Sequence, residues 1–97
     1  MNTDDKNLIS SADVLKHWKQ INGQLPHSRF SLPTSDGLIP VYIVRTCYGY
    51  RIRFRVRCGS LSKFAGHFTA DVLPDVFAKA MESAARELDD MAMRMAA

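Results

Sequence analysis

Ninety-seven residues fit one domain with a modest core and leave little room for a second. Apolar residues make up 46% of the chain and charged residues 24%, ordinary values for a globular protein. No apolar run approaches the roughly 18 residues of a membrane helix, and Met1-Asn2-Thr3-Asp4-Asp5-Lys6 lacks the basic-then-apolar pattern of a signal peptide, so the expectation is a cytoplasmic protein with no membrane partner.

The net charge of +3 is the sum of two opposed segments. From Gly37 to Ala70 the charged residues are Arg45, Arg51, Arg53, Arg55, Arg57 and Lys63, with no acid among them. From Asp71 onward, Asp71, Asp75, Glu82, Glu87, Asp89 and Asp90 outnumber Lys79, Arg86 and Arg94. Charge segregated in this way makes a directional field and points to an anionic partner for the middle segment.

Residues 1–9 read as a flexible tail, and residues 10–97 as one domain. Ser10 or Ser11 suits a helix cap and Asp13 a first helical turn. Val14, Leu15, Trp18 and Ile21 follow at helical spacing, with Trp18 as a core anchor, until Asn22-Gly23 stops the helix. A long connection with turn chemistry at Ser35-Asp36-Gly37 comes next, in which Arg29 and Phe30 offer at most a short extended piece. Val41 to Cys47 is rich in β-formers, and Tyr50 to Cys58 alternates strictly. Leu61 to Thr69 is the third strand; Tyr48-Gly49 and Gly59-Ser60 are the turns. A last helix, from about Val72 to Met95, carries an apolar stripe of Leu73, Val76, Phe77, Ala80, Met81, Ala84, Leu88, Met91 and Met95, with Asp71 as its cap. The predicted architecture is α+β in the order α-β-β-β-α: a three-stranded antiparallel sheet with helices packed on one face.

Side chains alternate across a strand, so Arg51, Arg53, Arg55 and Arg57 share one face, while Ile52, Phe54 and Val56 share the other. The apolar face must meet the helices, because four unpaired buried charges would be prohibitively costly. A two-residue turn at Tyr48-Gly49 sets Arg45 opposite Ile52, Ile43 opposite Phe54 and Val41 opposite Val56. Tyr42 then stands among the arginines, and Arg45 falls on the core side. Alternation in the third strand adds Lys63 and His67 to the arginine face and puts Phe64, Gly66 and Phe68 on the other. The register also sets Cys47 and Cys58 near opposite ends of the hairpin, too far apart to bridge, as two buried free thiols.

Three strands and a packed helix, with Tyr50–Val56 as the central strand and Gly66-His67-Phe68-Thr69-Ala70-Asp71 leading into the helix, resemble the arm-type DNA-binding domains of tyrosine recombinases and the APETALA-type plant transcription factors. The resemblance covers residues 40–90 and implies that the sheet face opposite the helix enters a major groove. Here that is the face of Arg51, Arg53, Arg55, Tyr42 and Lys63. The helix–three strands–helix order also resembles a double-stranded-RNA-binding domain. That family opens its last helix with lysines, and this chain has the acidic Asp71-Val72-Leu73-Pro74-Asp75 there.

His17, His27 and His67 are scattered and the two cysteines lack the short spacing of a zinc site, so no metal or other cofactor is expected. Neither a phosphate-cradling glycine loop nor a nucleophile constellation is present, and Asp89 and Asp90 are neighbours on a helix facing different ways; no catalytic residue is assigned and no enzyme is expected. The expected function is nucleic-acid binding, duplex DNA before RNA, by Arg51, Arg53, Arg55 and Arg57 with Tyr42, Lys63, Arg45 and His67 in support. The alternative is a small inhibitor or adaptor, of a kind that a phage or other mobile element carries, docking on an acidic surface of another protein or host defence complex. Met93 and Met95 offer a soft surface for a partner, or for a second copy packed through the C-terminal helix as a homodimer.

Overall fold

The structure, a computed structural model, describes residues 9–25, 27–32, 41–48, 51–69 and 71–96. The expected tail over residues 1–8 and the Ser35-Asp36-Gly37 turn lie outside the described residues. Helices α1 (Ser11–Lys16) and α2 (Trp18–Asn22) precede strands β1 (Ser28–Leu32), β2 (Val41–Tyr48), β3 (Arg51–Cys58) and β4 (Leu61–Phe68), and helix α3 (Pro74–Ala96) follows. The strands form one antiparallel sheet in the order β1-β2-β3-β4, a meander in which every strand pairs with its chain neighbour. The α+β class and the antiparallel sheet match expectation. The sheet has four strands rather than three, because the Arg29-Phe30 piece is a full edge strand, with Phe30 opposite Ile43 and Leu32 opposite Val41.

One face of the sheet carries the core. Val41 and Ile43 of β2, Phe54 and Val56 of β3, and Leu32 of β1 are buried against Phe77, Ala78, Met81, Ala84, Ala85 and Leu88 of α3 and Val14 and Ile21 of the first two helices. Phe77 organises this layer: its ring meets Phe54 at 4.8 Å edge-on, Phe68 at 5.2 Å and Trp18 at 5.1 Å. Such aromatic pairs add about 0.5–1.5 kcal/mol each beyond the area they bury. Trp18 is therefore a core anchor, as expected, although half-buried. Ile9, assigned to the tail, is 1% exposed and belongs to the core. The apolar stripe of α3 is shorter than its sequence pattern: Leu73, which precedes the helix, and Val76 and Met95 within it are exposed.

The helix ends follow local chemistry. Ser10 caps α1 through a reciprocal box: its hydroxyl accepts from the Asp13 amide at 3.2 Å, and the Asp13 carboxylate accepts from the Ser10 amide at 3.4 Å. The single helix expected from Ser10 to Ile21 breaks at His17, whose amide donates to Val14 O, three residues back, at 3.2 Å. From across the fold, Glu82 of α3 accepts from the Ser11 amide at 3.1 Å, a carboxylate at a helix N-terminus that ties α1 to α3. Asp71 does not cap α3, which starts at Pro74, a residue suited to the first helical position. Its carboxylate instead accepts from the Thr69 hydroxyl in the turn before the helix. That bond, and then the Asp71 amide, hold its pKa below the ordinary carboxylate value.

Two outcomes follow. Phe77→Ala removes the ring that joins three others and should cost about 3–5 kcal/mol, seen as a large fall in the urea midpoint at unchanged slope. Thr69→Val should raise the Asp71 pKa toward its ordinary value in an NMR titration; because the folded pKa is the lowered one, the bond's contribution is present above the ordinary carboxylate range and is lost as pH falls through the folded value.

Candidate nucleic-acid interface

The face of the sheet away from the helices is built by strand register. β2 pairs with β3 as Tyr42 opposite Arg57, Val44 opposite Arg55 and Thr46 opposite Arg53. The register differs by two residues from the expected one: Tyr48 pairs with Arg51 and so belongs to β2, and the rest of the connection, Gly49 and Tyr50, lies outside the described residues. A slip of two leaves every side chain on its expected face, since the side-chain period is two. Cys47 and Cys58 accordingly lie at opposite ends of the hairpin with no disulfide between them, half-buried rather than buried.

β4 departs from strict alternation. Gly66 pairs with Phe54 but Phe64 pairs with Arg55, so Ala65 is an extra residue, a β-bulge. Gly66 has φ +150°, and a Cβ there would lie 3.0 Å from the Phe68 ring. The bulge exchanges faces for the first half of the strand. Ser62 and Phe64 stand beside Arg57 and Arg55, whereas Lys63 pairs with Val56 on the helix side. Lys63 there forms an ion pair with Glu87 of α3 at 3.0 Å. Its expected place on the arginine face is thus corrected. His67, beyond the bulge, is opposite Arg53 and exposed on that face as expected.

Arg45 also leaves the site. It stands on the core side opposite Phe54, and its Nη1 donates to Asn22 O at 3.3 Å and Gln24 O at 2.5 Å. A guanidinium on these carbonyls caps the end of α2, where the helix dipole favours positive charge. Of the expected site residues, Tyr42, Arg53, Arg55, Arg57 and His67 are brought together. Arg51 holds its place in β3, and its side chain is outside the described part.

Two residues join them. Arg29 of β1 pairs with Val44, and its guanidinium carbon lies 4.5 Å from the centre of the Tyr42 ring. Phe64 is 38% exposed on β4, with the Arg53 guanidinium carbon 5.2 Å above its ring and the His67 ring 5.2 Å away. Such cation–π contacts are worth about 0.5–1 kcal/mol at exposed sites and hold the guanidinium in place. Arg55 Nε donates to Ser62 Oγ at 2.9 Å, and Arg57 Nε to Gly59 O at 3.2 Å. Both bonds use Nε, so an approach to a phosphate would be end-on, through the two terminal nitrogens. None of the four strands contains Asp or Glu. Arg29 was legible in the sequence only through its strand, and Phe64 only through the bulge.

Among the described residues no group of three His, Cys, Asp or Glu side chains is placed to hold a metal ion, and no helix is long and apolar enough to cross a membrane. Compared with protein families, with curated proteins and with solved structures, the chain matches none.

The division between structural and surface arginines is measurable. Arg45→Gln should lower unfolding free energy by about 1–3 kcal/mol through the lost charged bonds, whereas Arg57→Gln should stay within about 0.5 kcal/mol of the parent in the same urea titration.

Proposed function

We propose that this protein binds nucleic acid through the open face of its sheet, without catalysis, the guanidinium groups of Arg29, Arg53, Arg55 and Arg57 contacting phosphates. The observation that carries the reading is a sheet face that none of the described helices covers, with arginines on two strands and no acidic residue in any strand. A solvated face that had only to stay soluble would mix signs of charge, because like charges at this spacing repel. The arginines of β3 recur every ~6.7 Å along the strand, so they suit a regular polyanion better than a single carboxylate. Arg55 and Arg57 are steadied by neighbours that bind Nε, and Arg29 and Arg53 by aromatic rings, which reduces the entropy lost on contact. The resemblance of residues 40–90 to arm-type domains favours the same face of the sheet.

Four arginines that displace counterions give a log–log salt slope of about −3 to −4. Fluorescence anisotropy at two salt concentrations, with duplex DNA, single-stranded DNA and duplex RNA, should show salt-sensitive binding that Arg53→Gln with Arg55→Gln abolishes. If none of the three binds at low salt, the reading fails and docking on an acidic protein surface replaces it.

A further inference from the structure

Within the nucleic-acid reading just given, and resting on it, we infer that the form of nucleic acid this face takes is a single strand whose bases stack on two separate platforms, Tyr42 with Arg29 and Phe64 with Arg53. Three observations lead there: the width of the sheet, the place of its aromatic rings and the distance between them.

The sheet is four strands wide. At a strand spacing of ~4.8 Å its edge strands lie about 14 Å apart, before side chains are added. The major groove of B-form DNA is about 12 Å wide and admits a helix or a two-stranded ribbon. A three-stranded face is about 10 Å between its outer strands and fits more readily. β1 is the strand that makes the difference, and it bears Arg29 on the same face. The described face carries its charge and rings across all four strands, as a surface for a chain laid over it rather than a ridge for a groove.

The rings are placed for stacking. Tyr42 on β2 and Phe64 on β4 flank the arginine row of β3. Each has a guanidinium close to its face, at 4.5 Å for Arg29 and 5.2 Å for Arg53. Nucleobases stack on aromatic rings and on guanidinium planes alike, whatever the base. On a duplex, base faces are already covered by their neighbours, and such rings have nothing to receive.

The distance between platforms separates the two forms further. Tyr42 lies in the row of Arg57 and Ser62, while Phe64 lies in the row of Arg55, two strands across and two residues along. The Tyr42 and Phe64 platforms are therefore about 12 Å apart. Successive bases of one strand in a duplex rise ~3.4 Å. Bases held on both platforms must be unstacked from each other, which an unpaired strand allows at little cost. The backbone between them then passes over Arg55 and Arg57, whose terminal nitrogens meet its phosphates.

The test uses the full chain, a labelled oligothymidine of about 20 residues, and a duplex of the same length and label. The oligothymidine should bind at least tenfold more tightly than the duplex. Tyr42→Leu and Phe64→Leu should each weaken it on the order of tenfold while leaving the melting temperature near that of the parent, and Phe64→Trp should retain binding with its emission quenched by the bound strand. Equal or tighter binding of the duplex, or parental affinity in both leucine variants, overturns the single-strand inference and leaves the nucleic-acid reading standing. Absence of binding to either oligonucleotide, and to duplex RNA, at low salt overturns both.

Discussion

The contact of Phe77 with Phe54, Phe68 and Trp18 joins α3 to one face of the sheet, and the character of the other face follows from it. A sheet has two faces, and the described helices cover one of them. With α3 and the first two helices on the apolar side, the alternate residues of β3 fall on the face that these helices leave uncovered. Arginine at those positions is compatible with folding only under that arrangement. The arginine face is thus a consequence of where the aromatic cluster sits, not a separate element added to the fold.

Much of this was legible in the chain because period-two alternation is a strong signal where it is strict. β3 is strict, and its arginine and apolar faces were assigned correctly even though the hairpin register differs by two residues. β4 was read with the same period and failed at one place. Ala65-Gly66 inserts an extra residue, and a pattern of small residues does not announce a bulge. Lys63 and Phe64 changed faces as a result. The fourth strand was missed for another reason: Ser28–Leu32 is five residues long with two serines, and its strand character comes from pairing with Val41–Arg45 rather than from its own propensity.

Arg45 shows how charge alone misleads. Grouped by sequence with the basic segment, it belongs by geometry to the end of α2, where it meets two backbone carbonyls. Lys63 has a similar history, having found Glu87. Arg45 and Lys63, the two basic residues that left the arginine face, are held by polar partners on the helix side. On that face, Arg29 and Arg53 lie against aromatic rings, Arg55 donates to a hydroxyl and Arg57 to a backbone carbonyl, contacts that hold a guanidinium in position.

The bond from the Ser11 amide to Glu82 joins residues 71 positions apart. All strand pairings are between chain neighbours, so the sheet can assemble as soon as its hairpins exist. Its apolar face cannot be covered so early. On a ribosome, β1 to β4 emerge before α3, and α1 has no Glu82 to dock against until that helix is made. The cover of the apolar face and the anchoring of α1 thus both depend on the last element of the fold, whereas the sheet's own pairings do not.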